Sequence, residues 1–227
     1  MDKYQKILVC HYGKVASTSL VYSLGQALNY KTATIKSNKE NFNEKILVTC
    51  NNYNNVCNYH IKNNDKILVI SMCRNLIDRW ISMHFQLYGH KYIKNIKNDS
   101  DKNNIFKHLK STLLKKKYND SYFNTLGKNL DFDFDIFESY DVNKKYIFKE
   151  GKCVDFLLLT FDDIANWENI IYDIFNIKVH MIKENIGSCK EYKSLYKDFK
   201  EYLENDEDNK KLFIDYNKTK HAQYFKI

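Results

Sequence analysis

Apolar residues along this chain fall into two patterns, short continuous runs and helical spacing. Residues 7–10 (ILVC) form an unbroken apolar run after a polar start, the signature of a strand buried on both faces of a parallel sheet. The stretch HYGKVASTS follows, and then apolar positions recur at Leu20, Val21, Leu24, Ala27 and Leu28, which predicts a helix with one buried face. Residues 46–49 predict a second short strand, and 67–72 (ILVISM) the third and clearest. Between them, residues 51–64 are rich in asparagine and predict a loop that contains His60. A helix is expected over about 75–88, with Leu76, Ile77, Trp80, Ile81 and Phe85 facing inward. Residues 93–117 read as polar and helical, their lysines at 115–117 as a solvated helix end. Residues 146–149 and 154–160 flank a turn at Gly151 and predict a hairpin. Asp162 and Asp163 lead into a helix bearing Trp167, Ile170, Ile171, Ile174 and Phe175. Residues 179–182 predict a last strand, and the tail reads as helical over about 189–205 and again after Asp208. There is no repeat and no proline- or glycine-rich linker, so the expectation is one α/β domain over residues 1–227. Its central sheet is parallel and flanked by helices.

Composition fits that picture and trims the functional options. The chain has 227 residues, 44% hydrophobic and 28% charged, enough for a real core and unlike a disordered polyelectrolyte. Its net charge of +8 favours anionic partners, but 34 of its 36 basic residues are lysines in a chain with 27 asparagines and no proline. That bias follows AT-rich codons, so lysine runs carry little weight, whereas the two arginines, Arg74 and Arg79, carry more. The six cysteines form no CxxC pair, and Cys10 and Cys73 read as small buried hydrophobes. No clean metal-ligand spacing is present. The apolar run near the start has four residues, too short for a signal-peptide core, and no stretch reaches the length of a membrane span. A cytoplasmic protein without a membrane span is expected. RNA binding draws support from the charge and from 15% aromatic content, but the tyrosines are scattered rather than gathered in an RNA-binding motif.

Two places carry candidate chemistry. In the first, a loop of small residues joins a buried strand to a helix, and the first helical N–H groups lack intrahelical partners. Gly13 allows a tight turn, Val15 lies in the loop, and Ala16 and Ser17 let a ligand approach the backbone. Ser17, Thr18 and Ser19 add hydroxyls, and Lys14 adds a mobile positive charge. The pattern is not a Walker A loop, since Leu8 stands where its first glycine belongs and Val15 follows Lys14. Nor is it a cysteine phosphatase loop, because Ala16 occupies the arginine position counted from Cys10. The second place is CRNLIDRWIS, residues 73–82, where Arg74 ends a central strand, Asn75 can cap the next helix, and Ser82 lies two turns on. Arg74 and Ser82 together suit a phosphate.

This pair of motifs resembles that of sulfotransferases that use 3′-phosphoadenosine 5′-phosphosulfate (PAPS). GKVASTSL, residues 13–20, is similar to the loop that holds the 5′-phosphosulfate. CRNLIDRWIS is similar to the strand end and helix that hold the 3′-phosphate, with Leu76 where proline is frequent. Residues 184–203 and 216–225 also resemble the sulfotransferase-like capsular polysaccharide synthesis family named for an Asn-Lys-Trp-Tyr-Ser pattern. Asn185, Lys190, Tyr192 and Ser194 echo that pattern, with Glu191 in the Trp place. The resemblance implies a P-loop-like sulfotransferase fold, PAPS as co-substrate without a metal, and a hydroxyl acceptor such as a saccharide. It implies Lys14 at the leaving phosphate and a histidine base, His60 first and His11 second. A non-catalytic RNA- or polyanion-binding protein, or a degenerate sulfotransferase fold, is the alternative.

Overall fold

The computed structural model describes residues 4, 6–11, 16–34, 46–50, 66–115, 121–130, 132–136, 143–182 and 191–205. In chain order its elements are β1 (Lys6–Cys10), α1 (Ser17–Leu28), β2 (Lys31–Thr34), β3 (Ile46–Cys50), β4 (Ile67–Cys73), α2 (Leu76–Asn95), α3 (Asp99–Leu114), α4 (Ser121–Asn129), β5 (Tyr146–Glu150), β6 (Val154–Thr160), a 3₁₀ turn (Phe161–Asn166), α5 (Trp167–Phe175) and α6 (Lys193–Glu204). The described residues of Met1–Arg74 and Ser121–Glu184 form one compact unit, and those of Asn75–Asp120 and Asn185–Ile227 a second.

The first unit is α/β. Its sheet runs β2-β3-β1-β4-β6-β5, and every neighbouring pair is parallel except β5 with β6. The unbroken apolar runs of β1 and β4 fit because every residue of both strands is buried. Alternation then decides which face each residue serves. Ile7, Val9, Ile70, Met72, Leu157 and Leu159 share one face with Leu20 and Leu24 of α1 and with Trp167 and Ile171 of α5. Phe156 turns the other way and meets Phe132, ring centroids 5.2 Å apart.

The β5–β6 hairpin and α1 form where the pattern predicts them. The strand expected over 179–182 does not form. Val179 is buried, but the Met181 N–H donates to Glu168 Oε1 at 2.7 Å and the Ile182 N–H to Ser23 Oγ at 2.8 Å. Side chains take the donors that a ladder would use. Edge strand β2, KTAT, is an addition that its polar sequence hides.

The second unit packs α2, α3 and α6 around Trp80, Phe85, Phe106, Leu109, Phe199 and Leu203. The inward residues expected of α2 are buried, apart from the half-buried Leu76, and the helix runs past Tyr88 to Asn95. The long helical region expected over 93–117 breaks at Ile96, and Asn98 caps α3 by accepting from the Asp101 N–H at 3.0 Å.

Candidate functional site

β1 and β4 are neighbours at the centre of the sheet, and the chain leaves them in opposite directions. From β1 it passes through α1 to β2 at one edge, and from β4 it goes on to β5 and β6 at the other. Connections that part in this way open a crevice at the carboxyl ends of the two strands, where open α/β sheets bind ligands. Ser71 fastens the rim, its hydroxyl donating to the Cys10 carbonyl at 2.7 Å. Cys10 pairs with Ser71 in register, so β4 runs two residues beyond β1 before it reaches Arg74.

On the β1 side, α1 starts from Ala16, whose φ of 57° and ψ of 23° are left-handed. An alanine held there stores on the order of 1–3 kcal/mol of backbone strain. The N-cap residue Ala16 has no side chain that could cap the helix, and no acid occupies its first turn. The partial positive charge of the helix start is therefore not offset by the helix's own sequence. Thr18 is exposed, whereas Ser17 and Ser19 are 7% and 6% exposed. The Ser19 carbonyl accepts from the Ser23 hydroxyl at 2.7 Å. His11 follows β1 directly and is 9% exposed.

On the β4 side, Arg74 is half-buried, and its guanidinium carbon lies 4.2 Å from the centroid of the Phe161 ring. Register explains the meeting, since Cys73 pairs with Thr160 and the next residues are Arg74 and Phe161. Thr160 is itself held twice. Its carbonyl accepts from the Trp167 indole N–H at 2.8 Å, and its hydroxyl donates to the Lys145 carbonyl at 2.9 Å. Beneath Arg74, Cys73 is 2% exposed. Burial, reinforced by the Asp162 carboxylate, pushes its thiol well above the ordinary value. It stays protonated and is no nucleophile.

Asn75 caps α2 as its sequence predicts, Oδ1 accepting from the N–H groups of Ile77 at 2.9 Å and Asp78 at 3.2 Å. Ser82 is half-buried on α2 in the second unit, whereas Arg74 closes the opening segment of the first. Gly13, Lys14, Val15 and His60 lie outside the described residues, as do Asn185 and Lys190. Tyr192 is buried in the core of the second unit, and Ser194 is exposed on α6. Glu191 is exposed and meets His90 Nδ1 at 2.8 Å.

Sequence reasoning did not single out Ser71 or Phe161. Phe161 was within reach of the rule that selected Arg74, because it stands just past the carboxyl end of a central strand, whereas Ser71 lies inside β4, two residues before its end. Among the described residues no helix is long and apolar enough to cross a membrane, and no group of three or more histidine, cysteine or acidic side chains gathers as a metal site. Comparison with protein-family models, curated proteins and solved structures finds no match.

Proposed function

We propose that this chain is a PAPS-dependent sulfotransferase of the P-loop-like sulfotransferase fold, related to the capsular polysaccharide synthesis group, with a saccharide hydroxyl as acceptor. The observation that carries the reading is the pairing of two anion-seeking features on adjacent central strands. One is a helix start after β1 with alanine at its N-cap and no acid in its first turn, and the other is Arg74 at the end of β4. They sit where the chain parts, and they coincide with the two motifs that resemble the sulfotransferase pair.

In this reading the co-substrate supplies an activated sulfuryl group. Lys14 and the N–H groups of residues 16–19 hold the 5′-phosphate end, and Arg74 holds the 3′-phosphate. Negative charge grows on the oxygen that bridges phosphorus and sulfur as the bond breaks, and Lys14 stabilises it. One such placed donor lowers a barrier by about 3 kcal/mol. A histidine takes the proton of the acceptor hydroxyl, since its pKa lies near neutrality. His60 and His11 are the two candidates, and His11 stands directly after β1.

The test is thermal stabilisation by 3′-phosphoadenosine 5′-phosphate. The wild type melts higher with the nucleotide, and Lys14→Ala and Arg74→Ala each reduce the shift. Each lost charge-assisted contact is worth roughly 1.5–3 kcal/mol, about 10- to 100-fold in affinity. A wild type that gains nothing from the nucleotide yet binds RNA tightly sinks the enzyme reading. Transfer of labelled sulfate to saccharides, proteins and small phenols then identifies the acceptor.

A further inference from the structure

We infer that Phe161 is a positioning residue for Arg74, and that it sets how strongly this chain tells a nucleotide carrying a 3′-phosphate from one without it. The inference rests on the proposed assignment of Arg74 to the 3′-phosphate. An arginine side chain has several rotatable bonds, so its guanidinium recognises a phosphate well only if something fixes its plane. Here the ring of Phe161 does so, 4.2 Å from the guanidinium carbon. Stacking uses the face of the guanidinium, whereas phosphate recognition uses the N–H groups at its edge. The two interactions are therefore compatible, and the first prepares the second.

The platform is well anchored. Phe161 is the first residue after β6, one rung beyond the Cys73–Thr160 pair. Thr160 is pinned by the indole N–H of Trp167, itself wholly buried in the core, and by its own bond to the Lys145 carbonyl. The backbone that carries the ring is thus tied to β6, to α5 and to the residue before β5. Residues 160 and 161 convert core packing into the orientation of a surface-reaching arginine.

Binding of 3′-phosphoadenosine 5′-phosphate and of adenosine 5′-phosphate, which differ only in the 3′-phosphate, is measured by calorimetry on the full chain. The variants are Phe161→Leu, which keeps apolar bulk without a π face, and Phe161→Tyr, which keeps the face. The expected result for Phe161→Leu is a loss of about 5- to 10-fold for the 3′-phosphorylated nucleotide. Binding of adenosine 5′-phosphate stays within about 2-fold, the melting temperature without ligand is unchanged, and Phe161→Tyr behaves as wild type. Equal losses for both nucleotides, or no loss for either, overturn the inference while leaving the cofactor reading in place. A wild type that binds neither nucleotide overturns both.

Discussion

Cys73 and Arg74 are adjacent, and the strand end treats them in opposite ways. The arginine reaches a ring at the crevice rim, while the sulfur is sealed at 2% exposure. Burial and then the Asp162 carboxylate disfavour the thiolate, so the folded-state pKa lies above the ordinary value of 9.0. The sign of the linkage follows. Above pH 9 an unfolded chain releases this proton while the native chain keeps it. The stability that the buried thiol contributes is full below that pH, and it declines as pH rises towards the folded-state pKa. Two outcomes are expected. Alkylation mapped by mass spectrometry at pH 8 leaves Cys73 unmodified until denaturant is added. Between pH 8 and pH 10, denaturant unfolding shows a larger loss of stability for wild type than for Cys73→Ala. Rapid native alkylation of Cys73, or equal losses for the two proteins, contradicts the assignment. The sequence already marked this residue as a small buried hydrophobe, because it ends an apolar strand. The effect of Asp162 was not legible, since it depends on β6 lying beside β4.

At the scale of elements, legibility tracked how far the side chains alone decide the backbone. β1, β4 and α1 emerge from the sequence because continuous runs and helical spacing leave few alternatives. β2 does not, because Lys31–Thr34 is short and polar. Residues 179–182 mislead for the converse reason, since an apolar stretch was captured by Glu168 and Ser23. The length of α2 is the instructive case. Gly89 resembles a helix stop, yet the helix continues through it. A Cβ at that position would lie 2.5 Å from Cδ1, 2.6 Å from Cγ and 2.9 Å from Cβ of Tyr192. Glycine is there so that the buried tyrosine at the start of α6 can approach the α2 backbone, which a single sequence does not reveal. Gly89→Ala would gain about 1 kcal/mol of helix propensity. It would lose more to overpacking, because the clash involves the root of the ring rather than a flexible tip. A net destabilisation of about 1–2 kcal/mol is expected in urea titration. A more stable Gly89→Ala protein would show that Tyr192 does not pack there.

At the scale of the whole molecule, the candidate site occupies the carboxyl ends of the strands, and a buried acid secures the opposite end of the same sheet. Asp155 lies in the second position of β6, wholly buried. Tyr4, 151 residues away, donates its hydroxyl to Asp155 Oδ2 at 2.6 Å. The Gly151 N–H reaches Oδ1 at 3.2 Å, and Lys66 Nζ reaches the same oxygen at 2.6 Å while also bonding the Gly151 carbonyl. These contacts join the residues that precede β1 and β4 to the β5–β6 turn, so one carboxylate ties together three strand starts. An acid inside VDFLLLT is conspicuous in sequence, but its partners follow only from the strand order. Asp155→Ala removes the acceptor of the tyrosine hydroxyl, whereas the Gly151 N–H keeps the Val154 carbonyl at 3.1 Å and Lys66, 28% exposed, can turn its ammonium to water. The expected cost is therefore about 3 kcal/mol, at the low end for a broken buried pair. Asp155→Asn keeps an acceptor for Tyr4 and loses the charge, so about half that cost is expected. Urea unfolding followed by tryptophan fluorescence measures both. The order wild type, Asp155→Asn, Asp155→Ala in falling midpoint, with unchanged denaturant slope, supports the tie. Equal midpoints for all three would mean that the amino ends of the strands hold together without it.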